Sequence, residues 1–382
     1  MTPLAMLERL VAFNTESHRS NLELIAFVEA WLTQLGVASV RIPDATGDKA
    51  ALFASIGPAQ DGGVLLSGHT DVVPVAGQAW SGDPWRLRVA DGRAYGRGAV
   101  DMKGFVAIVL ALVPEMRAAR LTTPIHILLS YDEEVSCLGV VDAVARMGVD
   151  LPRPGVAIVG EPTGMDVVTA HKSVVSLTTR ITGKEGHSSQ PAHGANAVMA
   201  AAELIHWLAR RQEQFAAAGD PTGLFDPPCS TLQVGAIHGG TARNIIARDC
   251  SFLWEFRGLP GHSHRDLMGE LAAFAETSVL PGMRLGAPDA SIATICDVAV
   301  PHLAPRPGSA AEQLALRLAG RNHTATVSFA TEAGHFQNAG VATVVCGPGS
   351  IDQAHQADEF ITLAELDNGT AFIRRLIQAM SA

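Results

Sequence analysis

Hydrophobic positions in the first part of the chain follow two alternating patterns. Leu22, Ile25, Ala26, Val28 and Leu32 recur at helical spacing, and Gly36 follows as a stop, which predicts a helix on that stretch. Val64-Leu65-Leu66-Ser67-Gly68 reads as a buried strand, as do Ile125 to Ser130 and Val156 to Val159. A helix is expected from Lys103 to Arg117. This alternation predicts an α/β domain: a mixed, mostly parallel sheet with helices on both faces.

From His171 the pattern changes. Val174, Ser176, Thr178, Arg180 and Thr182 alternate with Val175, Leu177, Thr179 and Ile181, as expected of a strand with one open face. A helix from Asn196 to Gln212, strands at Thr231–Ile237 and Asp249–Phe256, a helix from His264 to Thr277 and a strand from Ser291 to Val298 complete a β-α-β-β-α-β order, that of a ferredoxin-like α+β unit. Pro301, Pro305, Pro307 and Gly308 lead back to helix and strand signals at Ala310–Leu318 and Val341–Cys346. The expectation is an insertion, with residues 174–301 interrupting a larger domain made of 1–173 and 302–382.

A chain of 382 residues exceeds what one core usually serves, which agrees with two domains. Apolar content of 47% and charged content of 17% suit a globular protein. The net charge of -10, with scattered Lys and Arg, argues against nucleic acid or an anionic membrane as partner. Five dispersed cysteines, odd in number, suggest neither a disulfide framework nor a thiolate metal site. The N-terminus has no leader pattern, and the apolar run Phe105 to Val113 is too short for a bilayer. A cytoplasmic protein is expected.

Candidate chemistry gathers near the strand ends. His69 and Asp71 are two apart on an extended segment, so the carboxylate can support the imidazole; alone, the pair fits a buried hydrogen-bonded histidine equally well. Gly96-x-Gly98 lacks a third glycine and is followed by an acid, which excludes a dinucleotide loop. Asp101 fits a helix N-cap or, beside other ligands, a carboxylate bridging two ions. Glu133 and Glu134 would repel if both were free; a division into general base and ligand resolves the conflict. Glu161 and His355 each follow an apolar strand. Together these nitrogen and oxygen donors suit a centre of two divalent ions, zinc first and cobalt as the alternative.

The segments Ser67-Gly68-His69-Thr70-Asp71-Val72-Val73-Pro74, Tyr95-Gly96-Arg97-Gly98-Ala99-Val100-Asp101-Met102-Lys103-Gly104, Tyr131-Asp132-Glu133-Glu134 and Gly186-His187-Ser188-Ser189-Gln190-Pro191 resemble metallopeptidase family M20, in order and over nearly the whole chain. Gly347-Pro348-Gly349-Ser350-Ile351, Gln353-Ala354-His355-Gln356 and Asp358-Glu359 look like the branch that deacetylates N2-acetylornithine. The resemblance implies that His69 and Glu161 hold one metal, Glu134 and His355 the other, and Asp101 bridges them. It implies Glu133 as general base, Asp71 as support for His69, and a cis peptide at Asp101-Met102. Ser136 stands where the pattern has glycine, a departure that touches only the local loop shape.

The resemblance further implies that the insert is a lid and dimerisation domain. His187 would stabilise the oxyanion in a partner subunit's site. Arg243, Asn244 and Arg257 would hold the α-carboxylate of a small N-acyl amino acid, although Arg257 also fits a surface ion pair. Glu332 would meet a substrate ammonium or side chain. The same residues would serve N-acetylcitrulline, N-succinyl-diaminopimelate or a dipeptide.

Overall fold

The apolar runs become the centre of one large sheet in the computed structural model, which describes residues 1–381. Its eight strands lie in the order Ser39–Pro43, Ala50–Ile56, Ile125–Ser130, Val64–His69, Val156–Val159, Ala342–Val345, Val167–His171 and Thr324–Val327. The four from Ile125–Ser130 to Ala342–Val345 are mutually parallel, whereas their outer neighbours pair antiparallel. Every residue of Val64–His69, Ile125–Ser130 and Val156–Val159 is buried, the pattern of a parallel centre covered on both faces. Parallel strands end on the same edge of a sheet, and ligand sites form beyond those ends. His69, Glu133, Glu134, Glu161 and the loop to His355 all lie at that edge.

The helix expected over Lys103–Arg117 is two helices, Lys103–Ala111 and Val113–Ala118, joined at Leu112. Pro114 sits in the first turn of the second, where its missing N–H costs nothing. All nine residues of Lys103–Ala111 are buried, and the helix packs against Pro3–Val11, Leu363–Ala379 and the Val64–His69 strand. Thr362 and Glu365 form a capping box that starts Leu363–Ala379. This larger unit combines Met1–Ala170, Leu303–Thr326 and the stretch from Thr331 onward.

The smaller unit is His171–His302 with Val327–Ala330. Its boundaries fall at 170/171 and 302/303 rather than the expected 173/174 and 301/302, and Val327–Ala330, which the sequence pattern assigns to the larger domain, groups with it. The unit is an antiparallel sheet in the order Thr231–Gly239, Asp249–Arg257, Val174–Thr182, Ser291–Val300. Numbered along the chain this is 2-3-1-4, with helices Ala197–Ala218 and His264–Phe274 as the two crossovers, the ferredoxin-like arrangement.

Asn196 caps the first of these helices, its side chain accepting from the backbone N–H groups of Val198 and Met199. Alternate residues Cys250, Phe252, Trp254 and Phe256 pack with Leu204, Leu208, Leu267 and Leu271 into the core of this unit. Burial of each large side chain there contributes about 1.5–3 kcal/mol. The helix expected over His264–Thr277 ends its α-helical part at Phe274 and continues through a π-helical turn, Ala275–Val279, into Leu280–Gly286. Pro281, which lacks an N–H, lies just past that change of pitch.

Candidate metal centre

His69 closes its strand as a buried side chain. Its Nδ1 donates to the Asp71 carbonyl at 2.9 Å, which leaves Nε2 facing Asp101 Oδ1 at 3.1 Å, Glu161 Oε1 at 3.8 Å and Glu133 Oε2 at 4.0 Å. The partner on one ring nitrogen thus selects the other for ligation.

Asp71 does more than support His69. Its Oδ1 is 3.5 Å from His69 Nδ1 and accepts the Glu133 N–H at 3.1 Å. Its Oδ2 accepts the Glu134 N–H at 3.3 Å and the Ser17 hydroxyl at 2.7 Å. One buried carboxylate therefore orients the imidazole and fixes the backbone of both glutamates. Asp132, at φ 56, makes the turn that presents them, and Lys49 pairs with its side chain. Cys137 Sγ lies 3.3 Å from Glu133 Oε1.

The peptide Asp101-Met102 is cis. The two oxygens of Asp101 are divided between the imidazoles: Oδ1 faces His69, and Oδ2 lies 3.2 Å from His355 Nε2. His355 Nε2 is also 2.9 Å from Glu134 Oε2. Its side chain is half exposed, in contrast to that of His69. Glu161 is placed by two glycines. A Cβ on Gly160 would meet the Phe105 ring at 2.1 Å, and one on Gly347 would lie 2.1 Å from the Gly160 carbonyl oxygen. Only backbone fits where these two strand ends approach.

The centre is short of positive charge. Burial, together with neighbouring carboxylates, pushes Glu133 up to about 8 against the pull of His69. Burial and Asp101 push Glu134 up to about 7. Glu161 is raised well above the carboxylate range, by burial first and then by Glu133 and Asp101. Asp101 is the exception: burial opposes its ionisation, but hydrogen bonds from His355 and His69 hold it below the usual range. Both imidazoles are raised, His355 to about 10 by Asp101 and Glu134. For His69, burial works against the charged form and is outweighed by bonds to Asp101 and Asp71.

Glu161 Oε1 is buried with no hydrogen-bond partner. An orphaned acceptor costs about 1–3 kcal/mol, more when charged. Divalent cations would satisfy it and replace the protons that the carboxylates otherwise take up. The donors gather into the groups His69, Glu133, Glu161 and His69, Asp101, Glu134, and their nitrogen and oxygen chemistry suits zinc, cobalt or manganese.

The remaining candidates are described within their own units. His187 is on an exposed turn of the smaller unit, where Nδ1 accepts the Ser189 N–H at 3.2 Å, so its proton sits on Nε2. Arg243 and Asn244 are exposed in the same unit, and the Asn244 carbonyl accepts the Ser188 N–H at 3.2 Å. Arg257 has the surface ion pair, with Nε 2.7 Å and Nη2 3.2 Å from the two oxygens of Glu255. Glu332 is buried, accepting from Ser67 on one oxygen and from Ser130 at 2.7 Å on the other, and so ties two parallel strands together. Ser17, Cys137 and Glu359 were not singled out by sequence reasoning; only Glu359 had a signal, its place in the Asp358-Glu359 motif.

The profile of peptidase family M20/M25/M40 matches residues 65–379. Acetylornithine deacetylase of Pasteurella multocida is 35% identical to this chain over 98% of it and 97% of the relative. Acetylornithine deacetylase of Yersinia pseudotuberculosis is 38% identical over 94% and 91%. Aminopeptidase PepT of Bacillus cereus superposes with a TM-score of 0.75 at 19% identity, covering 99% of this chain and 98% of that one. A dinuclear metal-binding peptidase of family M20 from Bacillus subtilis does so with a TM-score of 0.64 at 16% identity, covering 98% of each. At those identities the two structures speak for the fold. The profile, the full-length relatives and the strand-end cluster of histidines and carboxylates agree: the chain belongs to peptidase family M20/M25/M40.

Proposed function

We propose that this chain hydrolyses the acetyl amide of N2-acetyl-L-ornithine to ornithine and acetate, a step of arginine biosynthesis. The observation that carries the hydrolytic reading is the Asp101 carboxylate, with one oxygen toward His69 and the other toward His355. Support for the substrate comes from the two relatives named acetylornithine deacetylase, which match over nearly the full chain.

In this reading two cations, zinc or cobalt, would be held by His69 and Glu161 on one side and by Glu134 and His355 on the other, with Asp101 offered to both. When bound, such ions polarise the scissile carbonyl and bring the pKa of a coordinated water to about 7. Glu133 takes a proton from the attacking water on its carboxylate and delivers it to the departing amine nitrogen. Its backbone is held for this by Asp71, and positive charge in the centre would lower its pKa from about 8 toward neutrality.

The smaller unit completes the reading. The protein is a homodimer through that unit, and His187, with its proton on Nε2, is the donor to the oxyanion in the partner's site. Arg243, Asn244 and Arg257 offer donors to the α-carboxylate, Arg257 by exchanging Glu255 for it. The enzyme works in the cytoplasm, where its five free cysteines would stay reduced. Among the described residues, no helix is long and apolar enough to cross a membrane.

The test is amine release from N2-acetylornithine, N-acetylcitrulline and N-succinyl-diaminopimelate, measured side by side with a chelated control. Preference for acetylornithine, lost on chelation, is expected. Preference for another of the three moves the substrate, and silence on all three overturns the reading.

A further inference from the structure

Two loops bring the outer ligands together, and one buried carboxylate joins those loops. Glu359 is 1% exposed and receives four donors. Its Oε2 accepts from Arg97 Nη1 at 2.7 Å and from the Gly98 N–H at 2.9 Å. Its Oε1 accepts the N–H groups of Val100 at 2.9 Å and Asp101 at 3.1 Å. The residue bearing the shared carboxylate is therefore anchored, through its own backbone, to the loop that carries His355.

A second tie runs the other way. Arg97 Nη1 lies 3.4 Å from the Gln356 carbonyl, and Arg97 Nη2 donates to Gln78 Oε1. Gln78 Nε2 in turn donates to the His355 carbonyl at 2.8 Å. His355 needs such support. It stands at φ 61, a region that side chains rarely adopt, and its ring is half exposed. The His69 side is built differently, from a buried strand end and the Asp71 contacts, and meets these ties only through Asp101.

We propose that Glu359, Arg97 and Gln78 are positioning residues for the ligand set formed by Glu134 and His355. They fix the Asp101 loop against the His355 loop and so hold the 3.2 Å approach of Asp101 Oδ2 to His355 Nε2. None of them touches the reacting atoms. The inference rests on the two-ion reading above; the Gln78 tie bears on the His355 side alone, while the Glu359 tie also holds the Asp101 that both ions would share.

The experiment titrates zinc or cobalt(II) into the metal-free full chain, following heat and the cobalt visible spectrum, for the wild type, Glu359→Gln and Gln78→Glu. Glu359→Gln turns an acceptor oxygen into an NH2 that faces donors. Gln78→Glu keeps an acceptor for Arg97 and removes the donor to His355. Gln78→Glu is expected to weaken one equivalent about 10–100-fold, with an altered spectrum for it, and to leave the other as in the wild type; Glu359→Gln, which also frees the shared Asp101, is expected to weaken both, that one more. If Glu359→Gln does not fold, Gln78→Glu decides alone. Equal weakening of both equivalents in Gln78→Glu, or no change in either variant, overturns the inference. A wild type that takes up fewer than two ions sinks the two-ion reading, and the inference with it.

Discussion

Asp71 Oδ1 accepts the backbone N–H of Glu133 at 3.1 Å while lying 3.5 Å from His69 Nδ1. A single side chain thus connects His69 to Glu133, the proposed ligand to the proposed general base. Asp71→Asn keeps the shape but replaces one acceptor oxygen with an amide donor, which would face Glu134 N–H or Glu133 N–H. The expected loss in kcat/KM is about 10–100-fold, with weaker binding of the ion held by His69. Steady-state kinetics with metal analysis checks this; wild-type kinetics in the variant would count against the shared role.

Glu133 stands next to the metal ligands but is assigned the proton. Glu133→Gln is expected to retain both ions and to lose about 10²–10⁴-fold in kcat. Metal content by elemental analysis, compared with turnover of the same preparation, separates base from ligand. A variant that loses an ion along with activity would make Glu133 a ligand instead.

Metal affinity should depend on pH. In the metal-free centre Glu134 is raised to about 7, Glu133 to about 8 and His355 to about 10. Below pH 7 all three hold protons that entering cations must displace; at pH 9 mainly His355 does. Affinity therefore falls as pH falls, most steeply below about 8. Calorimetry in two buffers of different ionisation enthalpy should record net proton release that diminishes from pH 6 to pH 9. Binding without proton release would contradict this charge balance.

His335, on the helix Ala333–Asn338, has a buried Nε2 without a hydrogen-bond partner, and burial lowers its pKa to about 4. The folded value lies below the unfolded one of about 6.5. The unfolded chain thus binds more protons between those limits, and stability is lost as pH falls through them. Relative to wild type, His335→Leu should gain about 2 kcal/mol on going from pH 7 to pH 5. Urea unfolding of both proteins at the two pH values tests it; a constant difference would show that His335 does not titrate this way.

Much of this architecture is legible in the sequence because burial writes itself as apolar runs. The strands Val64–His69, Ile125–Ser130 and Val156–Val159 stand in the chain almost to the residue, since parallel strands covered on both faces tolerate little else. The smaller unit is legible for the opposite reason: one open face leaves the strict alternation of Val174–Thr182. Strands such as Val167–His171 and Ser39–Pro43 are not legible in this way, being short and lacking a distinctive period. The break at Leu112 shows that a proline four residues before Ala118 starts a new helix more readily than it sits inside an old one.

At the site, the ligands carry visible chemistry and their supports do not. Ser17, Asp71 and Glu133 meet across more than fifty residues, and Ser67 and Glu332 across 265. The Glu332 bonds to Ser67 and Ser130 have no local signal either, because an acid near a site is as useful for tying strands as for meeting substrate. No local pattern distinguishes the two uses.

The central claim is that Asp101 is shared by two cations. Anomalous scattering from crystals of the zinc-loaded protein tests it most directly. The account predicts two peaks about 3.5–4 Å apart, one on each side of the Asp101 carboxylate, the first against His69 and Glu161 and the second against Glu134 and His355. A single peak, or two peaks of which only one touches Asp101, would contradict it.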